Sequence, residues 1–205
     1  MIILALDTCV DACSVAIRTG DETLAALSEP MHRGHQERLA PMAAEALAMA
    51  GVTPAALDRV AVTTGPGSFT GLRVGLAFAK GLALALDRPC IGVGTLEALA
   101  LSQDAPFVAA CLDARRGRVY LQVFADGRAA MAPDILDIDV AAARLAELWN
   151  GGRAHIVGSG APLIAGVLAD AVVDAAAVPD PAVLARLAAR RAPGTLPPGG
   201  VTPDA

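Results

Sequence analysis

Residues 65–75 read Gly65-Pro66-Gly67-Ser68-Phe69-Thr70-Gly71-Leu72-Arg73-Val74-Gly75, with four glycines and one proline in a short stretch. An apolar run, Val60 to Val62, precedes them, and an apolar helix candidate, Leu72 to Leu86, follows. A strand, a glycine-rich turn and a helix in this order can bring backbone N–H groups and the positive end of a helix to one point. The stretch therefore suggests a phosphate-binding loop.

The glycine spacing fits neither of the common phosphate-binding motifs. A P-loop would end in Gly-Lys-Ser or Gly-Lys-Thr, and the dinucleotide fingerprint would place its third glycine differently. Gly65-Pro66-Gly67 instead predicts a tight, stiff turn, after which Ser68 or Thr70 can cap the helix. We therefore interpret Gly65 to Gly75 as a turn that aims a helix at a partner, and keep nucleotide contact as the weaker alternative.

The helix that follows the turn is apolar nearly all round, which indicates burial on both sides. Gly71 and Gly75 are four residues apart and share one helix face, where small residues let another helix approach closely. Val74, Phe78 and Leu82 form another side. One side is expected to pack on the chain's own sheet, and the other needs a partner.

The apolar runs along the chain predict alternating strands and helices. Up to about residue 100 the predicted order is β-β-β-α-β-α-β, with helices over 36–50 and 72–86. A second part repeats the opening hairpin over 106–124 and continues with a helix over 138–149. Two such halves predict, by analogy of folds, an α/β, two-lobe, actin-like (ASKHA, ribonuclease H-like) duplicated fold. The predicted division is an N-terminal lobe over 1–100, a smaller lobe over 101–192 and a disordered or extended Pro/Gly-rich tail over 193–205.

Composition restricts the kinds of function. The 205 residues suffice for one large domain or two small lobes with a buried core. The chain has 16 Lys and Arg against 21 Asp and Glu, a formal net charge of −5, so it is a poor lone binder of nucleic acid. Its four scattered cysteines are expected to be buried thiols in a reducing cytosol. The chain opens directly on a strand pattern, and apolar runs are expected to fall short of a bilayer span, so a soluble cytoplasmic protein is predicted.

Polar residues at the end of the first predicted strand offer a second candidate site. In ATPases of the actin-like superfold, an acid at this strand end helps to orient a metal-bound nucleotide, and the hairpin loop holds phosphate. Asp7, Thr8 and Asp11 occupy these positions and are the candidate nucleotide-binding residues. The alternative is an ordinary hairpin whose aspartates fill the turn, because the loop lacks the glycines that let backbone approach a phosphate closely.

Two further clusters allow more than one interpretation. His32 and His35 could hold a metal, but Gly34 lies between them and a third ligand is not apparent nearby, so a structural or interface role is preferred. The stretch Asp113-Ala114-Arg115-Arg116-Gly117-Arg118 suits either a grip on a carboxylate or phosphate or a solvated hairpin tip. Both interpretations of the arginines stay open at this point.

Several of these stretches together resemble the bacterial TsaB family, also called YeaZ. The resemblance rests on Gly65 to Gly75, on Leu6-Asp7-Thr8, on His35-Gln36-Glu37, and on Asp113 to Arg116 with the Val119-Tyr120 that follows. It is strong over about residues 1–125 and looser beyond them. It implies a two-lobe actin-like fold and a role in making threonylcarbamoyladenosine (t6A), the modified base beside the anticodon of tRNAs that read codons starting with A.

The resemblance also implies partners. Members of this family are non-catalytic partners of the paralogue TsaD, which carries the metal and transfers the threonylcarbamoyl group from its adenylate, and the ATPase TsaE joins them. The chain is accordingly expected to be a scaffold and activator that pairs with TsaD, forms a homodimer when alone and reaches tRNA only through the complex. The predicted partner interface, on the helices 36–50 and 72–86, comprises Gln36, Leu39, Met42, Met49, Gly71, Val74, Gly75, Phe78 and Leu82.

The resemblance sets expectations for bound groups as well. TsaD-type proteins bind metal through two histidines with three residues between them, whereas His32 and His35 have two, so no metal is expected. No cofactor is expected to bind tightly, and ATP or ADP would bind weakly or at the partner interface. Residues 196–205 depart from the family, which often ends in a Tyr-Leu-Arg-like strand. The alternative class is an enzyme of the actin-like superfold: a nucleotide-binding ATPase or kinase, or a peptidase.

Overall fold

The structure, a computed structural model, describes residues 1–192. It divides into two compact units: unit 1 holds residues 1–95 and 180–192, and unit 2 is Leu96–Pro179. The boundary predicted near residue 100 falls next to the observed one. The predicted second lobe, 101–192, is wrong about its last residues, because 180–192 belong to unit 1. The tail predicted over 193–205 lies outside the described residues.

Helices of very different length accompany the strands in both units. The two long ones coincide with the helices predicted over 36–50 and 72–86. In chain order the α-helices are α1 (His35–Ala50), α2 (Phe69–Leu86), α3 (Thr95–Leu101), α4 (Ile138–Leu148), α5 (Ala161–Ile164) and α6 (Pro181–Ala189), with 3-10 turns at Pro54–Ala56 and Ala165–Val167.

Unit 1 is built on one mixed five-stranded sheet. Its strands are β1 (Ile2–Asp7), β2 (Ala12–Thr19), β3 (Glu22–Pro30), β4 (Arg59–Thr63) and β5 (Cys90–Val93). Their order across the sheet is β3-β2-β1-β4-β5. β1 forms an antiparallel hairpin with β2 and lies parallel to β4, which in turn lies parallel to β5. The carboxyl ends of β1 and β4 therefore lie side by side.

The continuous apolar sequence of β1 is explained by helices on both faces of the sheet. Leu4 and Leu6 pack into the core that α1 and α2 complete. Ile3 and Ala5 are equally buried and alternate with them, so they point to the other face. There α6 packs across β1 and β2. This long-range contact is why residues 180–192 return to unit 1.

The ends of α1 and α2 follow recognisable sequence signals. Gly51 ends α1 in a left-handed conformation (φ 64°), and its N–H donates to the Ala48 carbonyl at 3.1 Å. The Ser68 hydroxyl caps α2 by accepting a hydrogen bond from the Gly71 N–H at 3.2 Å. The capping choice explains why α2 begins at Phe69, three residues before the predicted helix.

Unit 2 repeats the plan of unit 1. Its strands are β6 (Phe107–Arg115), β7 (Arg118–Ala125), β8 (Arg128–Ala129), β9 (Asp134–Asp137), β10 (Ala154–Val157) and β11 (Val172–Asp174). Their order is β11-β10-β6-β7-β8, with β9 paired to β7. As in unit 1, the first two strands form an antiparallel hairpin and the first lies parallel to a later strand, here β10. The repeat agrees with the predicted duplicated α/β plan.

Two findings differ from the sequence-based expectations for individual elements. Residues 162–168 are also a helix candidate by sequence, but they form the short α5 followed by a 3-10 turn. By length and composition alone, α2 could cross a membrane, contrary to the expectation about apolar runs, although one such helix is weak evidence of a span. In the described chain it packs on β4, and 33% of it is buried.

Candidate partner-binding site

The adjacent ends of β1 and β4 carry a buried polar cluster. Asp7, Thr8 and Thr63 each have 0% exposure. The Asp7 Oδ1 accepts hydrogen bonds from the Thr63 hydroxyl at 2.5 Å and from the Cys9 backbone N–H at 3.1 Å. Its other oxygen, Oδ2, is buried without a hydrogen-bond partner among residues 1–192. Burial raises the pKa of the Asp7 carboxyl above its ordinary value, because desolvation penalises the charged form.

The glycine-rich turn closes over this cluster. The Ser68 N–H donates to the Cys9 carbonyl oxygen at 2.7 Å. Gly67 lies so close that a Cβ there would be 2.1 Å from the same oxygen. The Gly65–Pro66 peptide bond is cis. The backbone of the turn therefore packs against Cys9 at the end of β1. Nucleotide contact by this turn is the weaker alternative that the sequence leaves open.

Gly71 and Gly75 face the interior of unit 1, where α2 packs against the end of β1. A Cβ at Gly71 would lie 1.8 Å from the Thr8 carbonyl oxygen, and one at Gly75 would lie 2.5 Å from the Thr8 Oγ1. Both glycines are buried. The prediction that they line a partner interface is therefore wrong, because they are the residues that let α2 approach β1.

The third candidate nucleotide residue, Asp11, does not join Asp7 and Thr8. Its carboxylate lies 3.0 Å from the His32 Nδ1, and the two side chains are 68% and 81% exposed. His35, by contrast, is buried at the start of α1. Within residues 1–192, no group of three or more His, Cys, Asp and Glu side chains is placed to hold a metal ion.

The buried cluster includes a thiol but offers no activated nucleophile. Cys9 is 1% exposed, and burial raises the pKa of its thiol to about 12. Because the thiolate is the nucleophilic form, Cys9 is an inert thiol at neutral pH. The Ser68 hydroxyl accepts a hydrogen bond as the cap of α2.

The outer sides of α1 and α2 form an apolar face. A groove of about 360 Å³, here called the α1–α2 groove, is lined by Gln36, Leu39, Arg73, Val74, Ala77 and Phe78. Further large apolar side chains on the same two helices are exposed: Met49 by 59%, Phe69 by 51% and Leu84 by 84%. An exposed apolar patch of this kind is typical of a protein–protein contact.

The predicted interface residues divide into exposed and buried sets. Gln36 and Met49 are exposed, and Val74, Phe78 and Leu82 are half-buried. Met42 is 0% exposed and does not line the groove, so its assignment to the interface is wrong, whereas Leu39 is 1% exposed and forms the floor of the groove. The reason is helical periodicity: the buried stripe of α1 is His35, Leu39, Met42, Ala43, Ala46 and Leu47.

Sequence reasoning missed four residues of this face: Phe69, Arg73, Ala77 and Leu84. Phe69 and Arg73 are one helical turn apart, and the Arg73 guanidinium carbon lies 3.6 Å from the centre of the Phe69 ring. Their spacing of four residues was the available signal, since such pairs are neighbours on a helix surface. Ala77 continues the same side of α2 and lines the groove.

The arginine-rich stretch forms the tip of the β6–β7 hairpin. Arg115 is paired with Asp113 at 3.3 Å, and Arg116 and Gly117 both have positive φ, at 54° and 76°. Two left-handed residues are the signature of a tight hairpin turn. The arrangement favours the solvated hairpin tip over a grip on an anion.

Comparisons with known proteins agree on the family. The family model "TsaD: tRNA N6-adenosine threonylcarbamoyltransferase" matches residues 28–158, more than half of the chain. The tRNA threonylcarbamoyladenosine biosynthesis protein TsaB of Escherichia coli K12 is 43% identical over 124 residues, which are 58% of this chain and 53% of the relative. The chain thus spans about half the length of the curated relatives it matches.

Solved structures extend the likeness over nearly the whole chain. YeaZ from Pseudomonas aeruginosa is 34% identical with a TM-score of 0.80, and the match covers 92% of this chain and 90% of that one. Component A of the (R)-2-hydroxyglutaryl-CoA dehydratase of Acidaminococcus fermentans, 12% identical, matches 92% of this chain and 97% of that one with a TM-score of 0.54. This second likeness concerns the fold alone and agrees with the predicted actin-like α/β class. By sequence and structure together, the chain belongs to the TsaB (YeaZ) family.

Proposed function

We propose that the chain is a non-catalytic scaffold and activator of the machinery that makes t6A in tRNA. In this proposal it binds the threonylcarbamoyltransferase TsaD through the α1–α2 groove and the apolar side chains around it. The observation that carries the proposal is the exposure of α2, an apolar helix of which 33% is buried and whose Leu84 is 84% exposed. Family membership supports the role in t6A synthesis, since the E. coli relative is named for t6A biosynthesis.

The state of the buried cluster supports a role without catalysis. The turn at Gly67 and Ser68 covers the end of β1, so a phosphate could reach Asp7 only after the turn moved. The Cys9 thiol is protonated and enclosed. We infer that ATP or ADP, if bound, is held weakly or at the partner interface.

The remaining partners follow from the same proposal. The net charge of −5 suits a chain that reaches tRNA only through the complex, because phosphate contact requires a positive surface. The apolar face would also support a homodimer when TsaD is absent. The ATPase TsaE would join the pair, and the complex would work in the cytoplasm.

Reconstitution tests the proposal directly. TsaD from the same organism is supplied with threonylcarbamoyl-adenylate and a substrate tRNA, with and without this chain, and t6A is measured in the tRNA. We expect transfer to rise when the chain is added and to be undetectable with the chain alone. Transfer that is equal with and without the chain would contradict the activator role, and transfer by the chain alone would contradict the non-catalytic role.

One observation favours an ATPase-like enzyme as the second candidate. A buried carboxyl with a raised pKa and an oxygen lacking a partner is common at functional sites, and Asp7 has both features. The enzyme hypothesis predicts ATP hydrolysis by the isolated chain that is lost in Asp7→Ala. Calorimetry with ATP, with and without TsaD, then separates binding by the chain from binding by the complex.

A further inference from the structure

Arg73 stands at the edge of the α1–α2 groove in a fixed position. Its guanidinium carbon lies 3.6 Å from the centre of the Phe69 ring, one helical turn earlier on α2. A guanidinium that stacks on an aromatic face loses part of its freedom before any partner arrives. The stacked plane still presents N–H donors at its edge, and Arg73 is exposed.

No carboxylate of residues 1–192 lies within 4.0 Å of the Arg73 guanidinium. This contrasts with Arg38, Arg115 and Arg144, each of which is paired with an acid. The chain contains 21 Asp and Glu, so acids are not scarce. Within residues 1–192, Arg73 is thus a cation that stacks on Phe69 beside an apolar groove and has no carboxylate partner.

We propose that Arg73 receives a carboxylate from the helix that fills the α1–α2 groove, and that it thereby selects TsaD over a second copy of this chain. The inference rests on the proposed function and names the chemistry of the partner: an apolar helix with an Asp or Glu beside its apolar stripe. The groove floor of Leu39, Val74 and Phe78 takes the apolar side chains. The Arg73 guanidinium binds the carboxylate, since two of its N–H groups can donate hydrogen bonds to the two carboxylate oxygens.

A second copy fits this site less well. An isologous contact brings the same patch of both copies together. Over Phe69–Leu86 that patch contains two cations, Arg73 and Lys80, and no Asp or Glu. The α1 helix of a second copy carries Glu45, which Arg38 already binds at 3.0 Å. Glu37, in the first turn of α1, is the other acid of that helix. At α2, charge complementarity therefore favours a partner helix that carries an acid over the α2 helix of a second copy.

The test compares binding to TsaD with self-association. Wild type, Arg73→Met and Arg73→Lys are titrated against purified TsaD of the same organism at about 0.05 M and about 0.3 M salt, a range over which screening changes strongly. Self-association of each chain is measured by sedimentation. Arg153→Met is the matched control, because it removes an exposed arginine in unit 2.

Arg73→Met should weaken the TsaD complex by about tenfold or more and flatten its salt dependence, as expected for a charge pair at an interface. Arg73→Lys should recover part of the loss, while self-association and the Arg153→Met complex stay unchanged. If the Arg73→Met complex were as tight and as salt-dependent as that of wild type, the inference would be overturned while the proposed function would stand. The same holds if Arg73→Met weakened self-association as much as it weakened the TsaD complex. A folded wild-type chain that does not bind TsaD at all would overturn both the inference and the proposed function.

Discussion

The Thr8 hydroxyl donates a hydrogen bond to the Gly71 carbonyl oxygen at 2.7 Å, and this bond joins the end of β1 to the first turn of α2. The approach is close because position 71 has no side chain: a Cβ there would stand 1.8 Å from the Thr8 carbonyl oxygen. The glycines that open α2 thus fix the helix on the sheet. The outward side of α2 is left for a partner.

Gly71→Ala is expected to lower the free energy of unfolding by about 3 kcal/mol, because the backbone of β1 or α2 must move to admit the methyl group. Gly81→Ala is the matched control on the same helix. A Cβ at Gly81 meets nothing within 4 Å, so alanine should stabilise by up to about 1 kcal/mol through its helix propensity. Urea unfolding of both variants measures the difference. Equal stability of the two variants would contradict the close packing.

Asp7 should make the chain less stable as pH rises. Its pKa is raised in the folded protein, so the folded state holds the proton more tightly than the unfolded state does. The free energy of unfolding therefore falls as pH increases from the ordinary Asp value of 3.8 through the raised pKa. Asp7→Asn removes this contribution, and its stability should fall less between about pH 4 and pH 8 than that of wild type.

Asp11→Asn is the control for that experiment, because Asp11 is exposed on the turn between β1 and β2. The comparison uses urea midpoints of the three proteins across the same pH range. Parallel curves for wild type and Asp7→Asn would contradict a raised pKa of Asp7 in the folded protein.

All four thiols are predicted to react slowly in the native protein. Burial raises the pKa of Cys9 and Cys111 to about 12 and that of Cys13 and Cys90 to about 11. At pH 8 the thiolate fraction is therefore very small, and a disulfide reagent should need unfolding to modify Cys9. The control is the same assay in urea, where all four should react. A fast-reacting Cys9 in the native chain would contradict its burial and its raised pKa.

The sequence predicted the parts of the fold that depend on local signals. The apolar run of β1 was recognisable without any contact information, and Gly51 marked the end of α1. The short strand β11 gave no comparable signal, since it has three residues and all of them are exposed. The place of α6 depends on contacts with β1 and β2, more than 150 residues away in sequence, and a local pattern does not contain that information.

The candidate site shows the same limit at the level of single residues. The spacing of Gly71 and Gly75 predicted one small-residue face but not whether that face turns inward, and it turns toward Thr8. Met42 is similar, since an apolar residue on an amphipathic helix belongs either to the core or to a partner. Its exposure of 0% places it in the core of unit 1.

The binding of TsaD by a variant of Leu84 tests the central proposal most directly. Leu84 is 84% exposed on α2, so Leu84→Glu should leave the fold intact while burying a charge at the proposed interface. Val140→Glu is the matched control, since Val140 is 49% exposed on α4 of unit 2. Each chain is mixed with TsaD and followed by size-exclusion chromatography with light scattering. We predict that wild type and Val140→Glu form the complex and that Leu84→Glu does not. A Leu84→Glu chain that binds TsaD as well as wild type would contradict the assignment of the α1–α2 face.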